Sequence, residues 1–183
     1  DTREPLVVGA LRLAIGALSL LLLASLTRGA FAALRKLPKT PLLVAALCMA
    51  AYNLLFFAAV ARAGVGLGTA VTIGSAPLWV AAYETLLLRR APSRRNAIGQ
   101  ALAIAGATLL VLSGTHGGAS PIGLLLAAAA GLSYASYSLT SSKMVSHAPA
   151  ATIAASTFAL AALFTTPVFA FVPWHWALTG TAP

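Results

Sequence analysis

Arg12 is the residue whose position most needs a chemical reason. It is a permanent cation embedded in an apolar run, Pro5 to Thr27, of membrane-spanning length. A guanidinium at the centre of such a helix costs at least about 2.5 kcal/mol. Asn53 and Ser75 are polar side chains inside two further apolar runs. Counting about 1.5 Å per residue from the run ends puts all three some ~10–12 Å below one membrane face. At that depth Arg12 can attract an anionic or carboxylate-bearing group into a solvated cavity, or it can snorkel outward to loop carbonyls. Asn53 and Ser75 can shape the same cavity or make interhelical hydrogen bonds. Trp79 and Tyr83 lie one turn apart, and Tyr134 and Tyr137 recur with Ser141 at helical spacing, so both pairs are candidate cavity liners or plain packing. Glu84 either pairs with Arg89 or another loop arginine or acts as a protonation site coupling substrate to H⁺ movement. Pro77 and Gly74 in the third run form a candidate gating hinge, with a static packing kink as the alternative.

These residues must be positioned by helices in lipid. Of 183 residues only 12 are Lys or Arg and 3 Asp or Glu, while 60% are hydrophobic. The charged share of 8% falls far below the roughly 25% that covers a soluble domain. Six apolar runs emerge: Pro5 to Thr27, Pro41 to Ala61, Leu67 to Leu88, Ala97 to Gly114, Pro121 to Ser141 and Ala150 to Val172. Backbone groups left unpaired in hydrocarbon are too costly, so the runs are predicted to be helices. The expected fold is all-α, a polytopic transmembrane helix bundle. A β-barrel would show alternation over about ten positions, which the unbroken Leu124 to Ala130 lacks. Gly123, Ala127, Gly131 and Ala135 form a stripe of small residues suited to close helix approach, as do Gly99, Ala103 and Ala107.

The basic residues report orientation. Nine of the twelve fall after the first, third and fifth runs: Arg28, Arg35, Lys36 and Lys39, then Arg89, Arg90, Arg94 and Arg95, then Lys143. The positive-inside rule places these loops, after residues 27, 88 and 141, in the cytoplasm. A nucleic-acid partner is excluded, since no basic helix face or aromatic platform accompanies the charges. Cys48 lies inside a span and has no partner for an intramolecular disulfide. The chain begins with Asp1 and ends just after the interfacial Pro173 to Trp176, which reads as an excerpt of a longer protein. An offset of 144 residues aligns Pro5 with Pro149 at the openings of the first and sixth runs. Five helices apart, these runs cross in opposite directions, as inverted repeats do.

On these motifs the chain resembles the EamA-type branch of the drug/metabolite transporter superfamily, ten-helix proteins of two inverted five-helix repeats. Pro5 followed by Arg12 in Pro-Leu-Val-Val-Gly-Ala-Leu-Arg-Leu-Ala is similar to the family's second helix. Tyr52 to Ala59 with Gly64 resembles the third, Thr69 through Pro77 to Leu88 the fourth, and Ile98 to Leu102 with Gly106 the fifth. Gly123 to Tyr137 looks like the first helix of the second repeat. The resemblance implies that residues 1–116 form a first repeat lacking its first helix and that 117–183 begin the second. The chain departs from the family where Arg89-Arg90 replaces Glu-Arg, and at Glu84, where members carry an apolar residue. No proton-coupling role is therefore carried over to Glu84 from the family.

The functional expectation is a secondary transporter of small metabolites working by alternating access, with a non-transporting membrane scaffold or a channel-like protein as the alternatives. Aromatic residues and an arginine suit amino acids or related organic ions, and the resemblance implies export. No enzyme is expected. There is no His-Glu-x-x-His, and His116, His147 and His175 all fall in loops. No cofactor or metal is expected either. The expected partners are a small-molecule substrate and the lipid bilayer, the chain acting as a monomer or homodimer. Usage rich in Ala, Leu, Gly and Arg fits a GC-rich bacterium and hence an inner membrane.

Overall fold

In a computed structural model, residues 4–27, 29–86, 89, 94–113, 120–172 and 174 are described. They form α1 (Pro5–Leu26), α2 (Ala30–Leu34), α3 (Lys39–Ala63), α4 (Val65–Leu86), α5 (Arg94–Ser113), α6 (Pro121–Ser142), α7 (Ala150–Thr165) and α8 (Val168–Phe171). No strand occurs among the described residues. Proline opens α1 and α6 at the position where its missing N–H is not needed. Between α3 and α4 the chain turns at a single residue, Gly64, whose φ of +81° is open to glycine and whose N–H caps Val60 O at 3.0 Å.

Five stretches are long and apolar enough to cross a membrane: α1, α3, α4, α6, and α7 with α8 taken together. The sixth expected run falls on α5, whose last side chains lie outside the described residues. Two features differ from expectation. A short helix, α2, follows the left-handed Gly29 where only a loop was anticipated. The last run is broken rather than continuous: α7 stops at Thr165 because Pro167 cannot supply the N–H that would carry the helix forward, and α8 restarts at Val168. By contrast α4 passes through Pro77 as one helix.

Packing follows membrane rather than aqueous logic. Most of the buried hydrophobic positions are alanines, including Ala10, Ala45, Ala59, Ala127, Ala130 and Ala161, with Val7 and Met144 the larger fully buried side chains, while Ile15, Leu18, Leu22 and Leu26 point outward from α1. Lipid is as apolar as leucine, so association rests on close backbone approach. A Cβ on Gly123 would lie 2.8 Å from Ala63 N, and one on Gly131 would lie 2.8 Å from Thr72 O. The first stripe of small residues is thus the seam where α6 lies between α3 and α4. The second stripe behaves otherwise, for a Cβ on Gly99 would meet no described residue of another element within 4 Å, and Gly99 borders a cavity.

Two groups of packed helices share α3: α3, α4 and α6, with α5 on α4, and α1, α3 and α7, with α2 against α7. At one end Leu37 from the α2–α3 turn packs with Met144 and Ala148 from the α6–α7 turn. The basic turns after the first and fifth runs therefore share an end, as the charge pattern requires. At the other end α6 begins beside the close of α3.

Candidate functional site

Asn53 and Ser75, each ten residues from the helix ends that flank Gly64, share one depth, and Arg12 lies deeper. Gly9, one turn before Arg12, is pressed against Asn53, since a Cβ there would lie 2.6 Å from Asn53 Oδ1 and from Phe57 Cδ2. Asn53 lies ten residues from the end of α3, about 15 Å in, so Arg12 comes out about 20 Å below that end. The run-end count fails because α1 starts deeper than α3 ends and because α3 and α4 extend past their predicted bounds. Arg12 is thus nearer mid-membrane than the sequence indicated.

Arg12 is solvent-accessible on this chain and forms no hydrogen bond or ion pair with any described residue. Its guanidinium lies within electrostatic range of the Tyr52 hydroxyl. From Tyr52 a row of rings crosses three helices. Tyr52 meets Phe56 at 5.9 Å and Tyr134 at 5.2 Å, Tyr134 meets Tyr137 at 5.9 Å, and Tyr137 meets Phe158 at 6.4 Å. The structure therefore joins Arg12, Tyr134 and Tyr137 and adds Tyr52, Phe56 and Phe158, which sequence reasoning had not put in the site. The signal was present in part: Tyr52 and Phe56 are one turn apart, and Tyr52 sits beside Asn53.

The other predicted residues separate. Asn53 is only 5% exposed, and its Oδ1 has no hydrogen-bond partner among the described residues. It sits in the α1–α3 contact, not in an open cavity. Ser75 bonds Thr72 O on its own helix at 3.3 Å and faces Gly131. Trp79 donates from Nε1 to Ala128 O of α6 at 3.0 Å, so its polar edge is used in helix packing. Tyr83 is half-buried and joins none of the ring contacts among the described residues.

Between α4, α5 and α6 lies a cavity of about 660 Å³. Glu84, Arg95 and Asn96 line its end nearest the close of α4, while Gln100, Ser138 and Tyr134 lie further in. Pro77 and Ile73 border it too. Pro77 has no N–H for the Ile73 carbonyl, which leaves an acceptor at the cavity wall. Glu84 makes no ion pair with Arg89 or any other described residue, although Arg95 shares its cavity. The cavity thus presents an anion, a cation and neutral hydrogen-bonding groups, and Tyr134 connects it to the row leading to Arg12. Gly74, the other hinge candidate, lies within α4 three residues before Pro77. No cluster able to hold a metal ion is found among the described residues.

The profile of the EamA-like transporter family matches residues 1–112. An uncharacterized transporter of Bacillus subtilis (strain 168), YwfM, is 35% identical over 180 residues, 98% of this chain. The chain spans about 60% of that relative's length. No solved structure matches. A bundle of apolar helices packed through small residues, together with these two matches, makes this a multi-pass membrane protein, and the chain belongs to the EamA-like transporter family.

Proposed function

We propose that this chain carries part of the substrate pathway of a secondary transporter that moves amino acids or related small organic ions by alternating access, in the direction of export. The observation that carries this reading is Arg12: a guanidinium near mid-membrane, beside Tyr52 and the row of tyrosines, with no carboxylate bonded to it. The nearest acid on its own helix, Glu4, is eight residues away, about 12 Å. Such a charge is tolerated where it meets water or an anionic ligand. Carboxylate-bearing substrates would be drawn to Arg12, while the mixed charges of Glu84 and Arg95 suit the ammonium and carboxylate of a zwitterion leaving through the other cavity. Glu84 is proposed to couple transport to protons, and α4 around Gly74 and Pro77 to flex during gating.

In this reading α5 is a sixth span, and the protein has ten helices in two inverted repeats. Residues 1–116 belong to the first repeat and 117–183 to the second, in a bacterial inner membrane with the basic loops cytoplasmic.

Solute counterflow in proteoliposomes of the full-length protein tests the proposal. Exchange of a carboxylated solute should be lost in Arg12→Ala and partly kept in Arg12→Lys. Glu84→Gln should keep exchange but lose uptake driven by a pH gradient. A folded protein that exchanges no amino acid or organic ion would refute the transporter reading. Exchange indifferent to Arg12 would remove that residue from the pathway.

A further inference from the structure

A second cavity, of about 370 Å³, lies away from the row of tyrosines, at the end of the bundle where the α2–α3 and α6–α7 turns meet. Its walls are apolar: Leu21 and Ala24 of α1, Leu34 of α2, Leu42 of α3, and Ala159 and Leu160 of α7. On α7 four of the five lining residues, Thr152, Ala155, Ser156 and Ala159, follow one helical face and are small, which leaves a slot about 10 Å long. Thr152 is 3% exposed, yet its Oγ1 has no hydrogen-bond partner among the described residues. Arg35 and Lys39 stand at the rim with their side chains exposed.

Among the described residues no carboxylate pairs with these two cations. The chain has three acidic residues, Asp1, Glu4 and Glu84. Glu4 precedes α1, at the opposite end from the slot. Glu84 is on α4, in the other group of helices, at the cavity with Arg95. Neither described acid supplies the counter-charge for Arg35 and Lys39. Basic residues at the cytoplasmic surface attract anionic lipids, and basic pockets between helices bind their headgroups.

We infer that this slot is a binding site for an anionic glycerophospholipid. Its phosphate sits between Arg35 and Lys39, an ester oxygen or headgroup hydroxyl meets Thr152 Oγ1, and one acyl chain lies along Ala155, Ala159 and Leu160. Apolar walls, paired cations and a buried polar group at the boundary between them match the three parts of such a lipid in order. The inference is independent of what the protein transports.

Native mass spectrometry of the detergent-solubilised full-length protein, titrated with phosphatidylglycerol or phosphatidylcholine of equal chain length, tests it. One phosphatidylglycerol should bind in preference to phosphatidylcholine. At the strength typical of surface cations acting on anionic lipid, Arg35→Gln with Lys39→Gln should weaken that binding about ten- to thirtyfold. Ala159→Phe should fill the slot and weaken both lipids. Lys143→Gln, at the same end but outside the slot, should change neither. Arg35, Lys39 and Lys143 are all exposed, so these variants keep the fold, which an unchanged thermal midpoint verifies. Equal binding of the two lipids, equal effects of Lys143 and the rim pair, or no retained lipid because another segment of the full-length chain fills the slot would each overturn the inference.

Discussion

The seam between α4 and α6 makes a prediction that can be worked from distances. In Gly131→Ala the new Cβ would lie 2.8 Å from Thr72 O and 3.3 Å from Ala76 N, and closer still to Ser75 Oγ. Ordinary contact at such atoms is about 3.5 Å, so α4 and α6 must part by several tenths of an ångström. Two of the three opposing atoms are backbone and cannot rotate away. Overpacking of this kind costs about 1–3 kcal/mol, against a helix-propensity gain of about 1 kcal/mol for Gly to Ala. The net expectation is a loss of about 0–2 kcal/mol, near the upper end because the backbone atoms are fixed. Gly123→Ala, opposed by Ala63 N at 2.8 Å and Ala63 Cβ at 2.9 Å, should behave alike. Gly16→Ala is the control, since among the described residues its Cβ would meet only Phe158 Cδ1, at 3.9 Å. It should be neutral or stabilising.

Thermal unfolding of purified full-length variants in one detergent gives the ranking. Ser75→Ala adds a sharper criterion. It removes the atom nearest the new methyl, so the double variant should recover part of the Gly131→Ala loss, a coupling of about 0.5 kcal/mol or more. If Gly131→Ala is as stable as the parent while Gly16→Ala is not, or if Ser75→Ala gives no recovery, the close α4–α6 contact described above is wrong.

Thr157 is fully buried and its Oγ1 has no partner among the described residues; the near-isosteric Thr157→Val should raise the thermal midpoint, by an amount corresponding to about 1 kcal/mol, and a lowered midpoint would reveal a hydrogen bond from another segment of the full-length protein. Orientation is checked by cysteine scanning on a Cys48→Ser background. A cysteine at Lys143 should react with a membrane-impermeant maleimide only after the cytoplasmic face is opened, and one at the exposed Arg62 should react in intact cells. The reverse pattern would invert the topology.

The helical, membrane-embedded character of this chain was legible because it depends on composition and run length, which need no partner helix. The stripe at Gly123 and Gly131 was legible for a related reason: a four-residue repeat of small side chains has one main use in a bundle. Local chemistry also announced Arg12, a charge with no business in hydrocarbon unless something meets it. The sequence could not state how far one helix slides along another. That offset placed Gly9 against Asn53, moved Arg12 one turn deeper than Asn53, and brought Tyr134 of α6 to Tyr52 of α3 across 82 positions of chain. It was set by which small residues nest against which backbones, a property of two surfaces at once. The break at Pro167 could be foreseen from proline's missing N–H, yet Pro77, with the same chemistry, leaves α4 continuous. Only the surrounding helices, which hold α4 against α6 on both sides of the proline, decide between those outcomes. The lipid slot, likewise, is assembled from α1, α2, α3 and α7, and no stretch of sequence contains it.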